Sequence, residues 1–550
     1  MFTVNINNKQ YTLDEKTPII DLIEKGQEKN YFVAKVNNRL RELNYELCYD
    51  CNVELLDNTT YDSVKVYETS LRFLIAMAFH NVFPDYQIRI SYNISRSLLV
   101  SILKPDHIVA DSKLIKAIND EMRRLVDLDI PFKRAKIYSK EEAREYYLAN
   151  NQLDKEAILK YRPEKNCHFY DCDGYLNYMY GYMVPSTGYL KTFRLFSYDS
   201  QIVVQYPRYE YDGKIPPFDD QPTFSKVLKK EHRWSKICKA ETVAKMNDHV
   251  AEETDVDFIN MCETKHNDML ADLGRIISQD IENIRLICIA GPSSSGKTTF
   301  SNRLRIELMS RDIVPLRISL DMYYKPKDMC PKDEFGEYDF ENIEALDLEK
   351  FNDDMLALIN GEEVRLPEFD FVTGQKTYGK PIKIDNKTPI IIEGIHALND
   401  ALSYAIPKHQ KFKIYIAPQF QINIDNHNPI SYTDIRLLRR IVRDRATRGT
   451  SAEGTLAMWN SVRRGEFKWI YPYQENCDYV YNSALTYELC VMKKYALPAL
   501  KEVDADSPYY IAANRLMKFL KYFKDMDEKW VPCNSLLREF IGGSCFSDVW

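Results

Sequence analysis

Eight consecutive residues, Gly291 to Thr298, have the types and spacing that bind a nucleotide phosphate. Their sequence, GPSSSGKT, fits the pattern G-x-x-x-x-G-K-[ST]. In this pattern the glycines let backbone N–H groups point at phosphate oxygens, the lysine reaches the β- and γ-phosphates, and the last hydroxyl is placed for Mg²⁺. We therefore predict that Lys297 contacts ATP and acts in catalysis. Thr298 is predicted to bind both ATP and Mg²⁺. The other residues predicted to bind the phosphates are Gly291, Ser293, Ser294, Ser295, Gly296 and Thr299.

The flanking elements favour this interpretation over a chance match in a Ser/Gly-rich loop. Residues 286–290 (LICIA) predict a buried strand before the loop, and residues 299–310 predict a helix after it. Further strands are predicted at 314–320, 389–392 and 412–416, and a helix at 433–448. Strands that alternate with helices predict an α/β fold with a doubly wound parallel sheet, whose ligands bind at the carboxyl ends of the strands.

Two carboxylates follow predicted strands of this sheet. Asp321 comes directly after the strand at 314–320, where it could accept a proton from an attacking hydroxyl; the alternative is a helix N-cap. Glu393 ends the apolar run at 390–392, as expected for an acid that supports Mg²⁺; the alternative is a surface acid. Beside a phosphate loop, we predict a general base at Asp321 and a metal ligand at Glu393.

An arginine-rich helix is predicted between residues 433 and 448. On a helix, Arg436, Arg440 and Arg443 fall on one face. Arginines can neutralise the charge of a transferring phosphoryl group, so we predict a clamp of this kind. A solvated helix face and an RNA-binding helix remain as alternatives.

Composition limits the class of protein. The chain has 550 residues and a net charge of −7, which argues against non-specific nucleic-acid binding by the whole surface. There is no apolar run long enough for a membrane span and no signal-peptide pattern, so a cytoplasmic protein is expected. Cys48 and Cys51 form a lone CxxC pair, and the spacing of Cys167 and Cys172 does not suit a zinc ribbon, so ordinary thiols are favoured over a zinc site.

Residues 285 to 500 resemble the uridine kinase and phosphoribulokinase family of P-loop kinases. The resemblance rests on the phosphate loop and on residues 319–325 (SLDMYYK), 369–371 (FDF), 392–395 (IEGI) and 439–444 (RRIVRD). It implies transfer of the γ-phosphate of ATP to a primary hydroxyl, typically the 5′-hydroxyl of a nucleoside. It places Asp321 at the general base and Arg443 and Arg448 at phosphate contacts.

The same resemblance implies where the acceptor binds. Tyr324 and Arg440 fall at substrate contacts, and Glu341 falls where the family has an aspartate that holds the ribose hydroxyls. Phe369 and Phe371 complete an aromatic cluster that favours a flat base. The positions that select a pyrimidine in that family differ in this chain. Phe369 and Gly374 stand where a tyrosine and a histidine are usual. Thr450 and Met458 stand where an arginine and a glutamine are usual. Base specificity is therefore left open.

The N-terminal part resembles other modules. Residues 1–66 are similar to the ubiquitin-like TGS domain, and residues 67–225 to the α+β editing domain of threonyl-tRNA synthetase. The metal-ligand positions of that editing domain hold Thr69, Phe73, Met179 and Met183 here, so no editing hydrolysis is expected. We predict a helical connector at 226–284 and a kinase domain with a helical tail at 285–550.

Three functions are compatible with the sequence. The first is an ATP- and Mg²⁺-dependent nucleoside kinase, in which Asp321 deprotonates the acceptor hydroxyl. The second is an RNA-associated regulatory NTPase that contacts RNA through residues 1–225. The third is a kinase for a sugar phosphate. Related kinases often form oligomers, which suggests a homo-oligomer by analogy alone.

Overall fold

A computed structural model describes residues 1–7, 9–334, 336, 338–370, 375–385 and 387–547. Phe371 and Gly374, which the sequence assigns to the acceptor site, lie outside these residues. Among the helices described, none combines the length and the apolar character needed to cross a membrane.

The first region contains the strands β1 (Phe2–Ile6), β2 (Lys9–Leu13), β3 (Thr17–Pro18), β4 (Val33–Val36), β5 (Arg39–Arg41), β6 (Glu46–Leu47) and β7 (Cys51–Leu56). Five of them form a small mixed sheet in the order β2-β1-β7-β4-β5. In this sheet β1 and β2 form an antiparallel hairpin, while β1 and β7 run parallel.

The second region starts with a long buried helix, α1 (Tyr61–Val82). The apolar side chains of this helix pack against the first region and against the rest of the second. Val4 of β1, Leu71 of α1 and Leu190 therefore belong to one continuous core. The helix therefore runs through the domain boundary predicted at residue 66. The other elements are β8 (Gln87–Tyr92), β9 (Leu98–Lys104), α2 (Ser112–Asp127), β10 (Lys133–Ser139), α3 (Lys140–Ala149), α4 (Leu153–Leu159), β11 (Asn166–Cys172), β12 (Tyr175–Asn177), β13 (Arg194–Tyr198) and β14 (Gln201–Gln205).

Helices connect this region to the C-terminal sheet. Phe258 and Leu273 on the third of them pack in the same core as Ile287 and Leu304 of the C-terminal region. These helices are α5 (Pro222–Ile237), α6 (Val243–Ala251) and α7 (Asp255–Gln279).

The C-terminal region contains a parallel sheet in the order β16-β19-β15-β20-β23. Its elements are β15 (Leu286–Ala290), α8 (Lys297–Met309), β16 (Leu316–Ser319), α9 (Leu348–Ile359), β17 (Val364–Asp370), β18 (Gln375–Ile382), β19 (Ile390–Glu393), β20 (Lys411–Ala417), β21 (Asn423–Asp425), β22 (Asn428–Pro429), α10 (Tyr432–Thr447), α11 (Ala452–Trp469), β23 (Tyr479–Asn482), α12 (Glu488–Lys501), α13 (Tyr510–Leu520) and α14 (Arg538–Ile541).

The central strand β15 shows why this sheet is covered on both faces. Ile287 and Ile289 pack into one core, whereas Leu286, Cys288 and Ala290 pack into another on the opposite face. The predicted α/β fold with a parallel sheet is therefore confirmed for this region. The β17–β18 hairpin and the edge strand β23 were not predicted. The carboxyl ends of β15, β16 and β19 meet at one edge, where they position the site described next.

Candidate active site

The loop between β15 and α8 has the backbone of a phosphate cradle. Gly296 has φ of +90° and Ser294 has φ of +58°, so the chain turns sharply before the helix begins. A Cβ atom at Gly291 would lie 2.0 Å from the carbonyl oxygen of Ile416, which excludes any larger residue there. The glycine positions of the motif are thus explained by geometry at both ends of the loop.

Buried hydroxyls around the loop have no hydrogen-bond partner among the described residues. They are the side chains of Ser294, Ser295 and Thr299, which are at most 3% exposed. Buried polar groups are almost always paired, so unpaired ones at a helix N-terminus fit a site that is completed by an anionic ligand. This local chemistry suits the phosphates of ATP.

Lys297 points back into the loop. Its Nζ donates to the carbonyl oxygens of Gly291 at 3.0 Å and Pro292 at 3.3 Å. Burial lowers the pKa of this lysine, and the carboxylates of Glu393, Glu539 and Asp321 oppose that effect. The ammonium group therefore lies among several acids, within the loop that would hold a phosphate.

Asp321 follows β16 as predicted, on a short turn whose Ser319 hydroxyl accepts a hydrogen bond from the Asp321 N–H at 3.3 Å. Asp321 is exposed at this edge of the sheet. Desolvation by the surrounding protein raises the pKa of Asp321, while the charges of Lys297, Arg448 and Arg443 lower it. A carboxylate with a raised pKa is a better proton acceptor, provided that neighbouring cations keep it ionised.

Glu393 lies at the end of β19 and is buried. Burial and the charge of Asp321 raise its pKa to about 7, against the opposing charges of Lys297 and Arg317. A buried acid that repels a neighbouring acid suits a site where a cation is bound between them. Thr298 is half-buried in the first turn of α8, where the sequence predicts the other metal ligand.

Glu341 and an aromatic cluster form the wall predicted to hold the acceptor. Burial and the charge of Glu466 raise the pKa of Glu341 to about 7, whereas Arg440 and Lys297 lower it. Its side chain approaches α11 so closely that a Cβ atom at Gly465 would lie 2.5 Å from the Glu341 Cβ. The Tyr324 ring lies 6.3 Å from that of Phe369, and its hydroxyl donates to a backbone carbonyl at 3.0 Å.

The arginines of α10 divide into two sets. Arg436 and Arg439 are fully buried and pair with Glu466 and Glu488 respectively. Arg436 also donates to the carbonyl oxygen of Ser293 at 3.1 Å. The predicted phosphoryl clamp is therefore corrected at Arg436, because this side chain is already committed to holding the loop. Helical spacing indicated a shared face but could not reveal the partner acids.

The second set of arginines lies beside the phosphate loop. Arg440, Arg443 and Arg448 share one buried carboxylate, that of Asp444, at 3.2, 2.6 and 3.7 Å. Arg440 also donates to the Ser293 hydroxyl at 2.8 Å. Three guanidinium groups on one carboxylate leave an excess of positive charge beside the phosphate loop, where a phosphoryl group can use it.

One residue of this site was missed by the sequence analysis. Glu539 on the C-terminal helix α14 accepts a hydrogen bond from the Thr299 N–H at 3.0 Å. Leu536 of the same segment lies over the loop, because a Cβ atom at Gly296 would be 3.3 Å from its Cδ2 atom. The two ends of this contact are separated by 240 residues. No local pattern connects them.

The structure thus brings the described site residues together around the carboxyl edge of the sheet. Electrostatic interactions link Lys297 with Asp321 and Glu393, and they link Asp321 with Arg443 and Arg448. Glu341 interacts with Arg440 and with Lys297. The arrangement brings the predicted proton acceptor, the phosphate loop and the arginines of α10 together at one edge of the sheet, a region called the cleft below.

Known proteins resemble this part of the chain. A family model described as "Phosphoribulokinase / Uridine kinase family" matches residues 286–489. A uridine kinase of Staphylococcus haemolyticus is 29% identical over 199 residues, which are 36% of this chain and 87% of that protein. A uridine kinase of Staphylococcus epidermidis is 30% identical over 197 residues, which are 36% of this chain and 86% of that protein.

Solved structures are more distant. A structure titled as a possible uridine kinase from Bacillus stearothermophilus has 18% identity and a TM-score of 0.22, with 30% of this chain and 80% of that chain covered. A TM-score of that size supports no conclusion about this chain. The sequence of the Staphylococcus epidermidis relative, in contrast, is matched over most of its length. On the strength of the sequence matches and the site geometry, the chain belongs to the phosphoribulokinase/uridine kinase family, with a P-loop kinase domain in its C-terminal part.

Proposed function

We propose that the protein is an ATP- and Mg²⁺-dependent phosphotransferase that moves the γ-phosphate of ATP to a hydroxyl of a nucleoside, the 5′-hydroxyl. The observation that carries this proposal is the position of Asp321. A carboxylate faces the cleft at the end of β16, interacts with Lys297 of the phosphate loop, and is flanked by Arg443 and Arg448. A nucleotide switch needs the loop and the metal but does not need this base.

In the proposed reaction, Asp321 accepts the proton of the attacking hydroxyl as the new P–O bond forms. Its raised pKa favours proton uptake, and Lys297 and the arginines keep the carboxylate ionised beforehand. The γ-phosphoryl group passes to the acceptor oxygen, ADP leaves with the bridging oxygen, and Asp321 then releases its proton to water.

Binding of ATP has to rearrange the cation at the loop. Lys297 exchanges the carbonyl oxygens of Gly291 and Pro292 for phosphate oxygens. The unpaired hydroxyls of Ser294 and Ser295 and the surplus charge of the α10 arginines complete the cradle. Thr298 and Glu393 would hold Mg²⁺, which supplies positive charge for the β- and γ-phosphates.

The acceptor side supports a nucleoside over a sugar phosphate. Glu341 is an acid that can accept hydrogen bonds from ribose hydroxyls, and it would repel a second phosphate. Phe369 and Phe340 flank the Tyr324 ring and form an apolar wall for a flat base. The relatives named uridine kinases favour uridine or a related nucleoside, while the base accepted is left to experiment.

The N-terminal modules remain part of the proposal. We propose a TGS-like unit at residues 1–66 and an editing-like unit at 67–225 without metal chemistry, joined by the 226–284 connector to the 285–550 kinase. Thr69 stands at one of the metal-ligand positions of that editing domain. Its hydroxyl instead donates to the Lys65 carbonyl oxygen at 2.9 Å, which supports a module without metal chemistry. Phe73 and Met183 are buried in the same core.

ADP release from ATP and Mg²⁺ tests the proposal. The acceptors are the four ribonucleosides, ribulose 5-phosphate and tRNA, and Lys297→Ala provides the blank because it removes the charge that meets the γ-phosphate. We expect stimulation by a nucleoside. Stimulation by ribulose 5-phosphate alone would replace the nucleoside with a sugar phosphate, and stimulation by tRNA alone would replace the kinase with an RNA-associated NTPase.

A further inference from the structure

A cavity of about 570 Å³ lies away from the candidate active site, between the N-terminal half of the chain and helices α10 and α13. Its walls come from β5, α1, the segment 178–182 after β12, and the facing sides of those two helices. The residues assigned above to ATP, Mg²⁺ and the acceptor do not line it. Its size falls in the range of sites that bind ligands as large as a nucleotide. We call it the basic cavity.

The lining of the basic cavity has a strong excess of positive charge, with eight basic and three acidic side chains. The acids are already occupied. Asp62 and Asp434 both pair with Arg515, at 3.3 and 3.1 Å, and Glu164 lies 3.6 Å from Arg162. These acids therefore neutralise Arg515 and Arg162 and leave the rim of the cavity positive.

Three rim cations, Arg39, Arg41 and Lys518, have no carboxylate within ion-pair distance in the described part of the chain. They rest on tyrosines instead. The Arg39 guanidinium carbon lies 5.6 Å from the centre of the Tyr510 ring, and the Lys518 Nζ lies 5.7 Å from that of Tyr182. Arg41 is 3.5 Å from the Tyr182 hydroxyl, and its Nε is buried without a hydrogen-bond partner.

A further cation, the guanidinium group of Arg134, approaches the Tyr182 ring. Arg134 lies 5.5 Å from the centre of the Tyr182 ring, although Glu42 neutralises it at 2.9 Å. Arg41 and Lys518, neither of which has a carboxylate partner among the described residues, both contact Tyr182, at its hydroxyl and its ring respectively, and like charges repel one another. A cation–π contact returns only about 0.5–1 kcal/mol at an exposed position. An anion that bridges Arg41 and Lys518 would remove that repulsion. The rim therefore has the chemistry of a phosphate site.

The aromatic lining gives the second half of the ligand. Tyr178 and Tyr180 line the cavity behind the rim, and their hydroxyls are already paired with Tyr522 and with the Arg515 carbonyl oxygen. The Tyr178 ring is buried with Arg162 over it at 4.8 Å, whereas the half-buried Tyr180 ring, with its hydroxyl satisfied, suits a stacked base better than a sugar or an acidic peptide. We propose that the basic cavity is a second ligand site, which binds a nucleoside monophosphate with its phosphate on Arg39, Arg41 and Lys518.

This site does not need a metal ion. The acids that line it are tied to arginines, so the ligand is neutralised by guanidinium and ammonium groups directly. Binding should therefore persist in EDTA, in contrast to ATP binding at the phosphate loop. The inference depends on the cavity alone and not on the acceptor of the kinase reaction.

Calorimetric titration in EDTA of the full-length Lys297→Ala protein with AMP, GMP, CMP and UMP tests the proposal. We expect one of them to bind in a way that depends on the rim cations, and inorganic phosphate to bind more weakly. Any binding of the matching nucleoside, which the acceptor site of the kinase accounts for, should be unchanged when the rim cations are removed. In the Arg39→Gln/Lys518→Gln protein the affinity should fall by about tenfold for each lost cation. Both substituted side chains are exposed, so folding should be preserved.

Lys521→Gln is the matched control, because Lys521 is exposed at the end of α13 and does not line the cavity. Equal losses in the control and the double variant would overturn the proposal, as would undiminished binding in the double variant. Failure of all four nucleotides to bind in EDTA would also overturn it. Tight binding of a single-stranded RNA that no mononucleotide displaces would replace the nucleotide with RNA.

Discussion

The cleft at the phosphate loop and the basic cavity both present cations to a ligand, but they differ in what stands beside those cations. In the cleft, Lys297 lies among the carboxylates of Glu393, Glu539 and Asp321. In the cavity, Lys518 and Arg39 rest on tyrosine rings. A polyphosphate can enter the acid-rich cleft only with an added cation, whereas the cavity can neutralise an anion by itself.

The two places also differ in how firmly their cations are held. Arg439 holds the Ser294 carbonyl oxygen at 3.4 Å and is locked by Glu488 in the protein interior. The rim cations of the cavity are exposed, apart from the half-buried Arg41. The loop is thus preorganised, as a site for chemistry requires, while the rim can adapt to a ligand that is only bound.

The largest effect is expected from the base of the cleft. Asp321→Asn should lower kcat by about 10²- to 10⁴-fold and leave the affinity for ATP nearly unchanged, because the amide cannot accept the proton. Steady-state kinetics measure both values. Asp328→Asn, an exposed aspartate seven positions further along the same segment, is the control and should behave like wild type. Unchanged turnover in Asp321→Asn would remove this residue from the mechanism.

The contrast in rigidity predicts a difference in stability. Arg439→Ala should lower the free energy of unfolding by about 3–5 kcal/mol, because it leaves the carboxylate of Glu488 buried without its partner. Arg445→Ala on the same helix should change it by less than about 1 kcal/mol, since Arg445 and Glu502 form a surface pair. Urea denaturation measures both. Equal losses would show that Arg439 is not locked as described.

Glu539 tests whether the acids of the cleft compete with ATP. Its carboxylate occupies the Thr299 N–H, which a phosphate could otherwise use. Glu539→Gln should therefore lower the KM for ATP by about tenfold, the size expected from one charge-assisted hydrogen bond that binding no longer has to break. Asp525→Asn in the same C-terminal segment is the control. A higher KM in Glu539→Gln would mean that the carboxylate helps to bind the nucleotide.

The smallest effect concerns pH. The pKa of Glu341 is raised to about 7 by burial and by Glu466, so this side chain is largely protonated at pH 6 and largely ionised at pH 8. Since the ionised form accepts hydrogen bonds from acceptor hydroxyls, the KM for the acceptor should fall a few-fold as the pH rises between these values. Glu341→Gln should abolish that change. A KM that rises with pH in the wild type would contradict the assigned role.

The comparison also shows what the sequence could predict. The loop of residues 291–298 and the strands before Asp321 and Glu393 are local features, because the chemistry and the element that carries it are adjacent in the chain. The pairing of Arg436 with Glu466 is not, since helical spacing gives a face but not the partner that covers it. Contacts of this kind depend on how distant elements pack.

The basic cavity could be predicted from the sequence even less than these ion pairs. It joins Arg39 of β5 with Lys518 of α13, and none of the motifs in the sequence links the two positions. Glu539 likewise reaches Thr299 only through the packing of the C-terminal segment on the loop. In both cases the chemistry is created by tertiary structure, and composition or periodicity cannot reveal it.

Phosphorus NMR of the product formed from ATP, Mg²⁺ and each ribonucleoside tests the central claim most directly. The account predicts a new phosphate monoester on the 5′-oxygen of one nucleoside, formed in equal amount with ADP, and its absence with Asp321→Asn. Release of inorganic phosphate without any phosphorylated nucleoside would contradict the assignment of the cleft as a nucleoside kinase site.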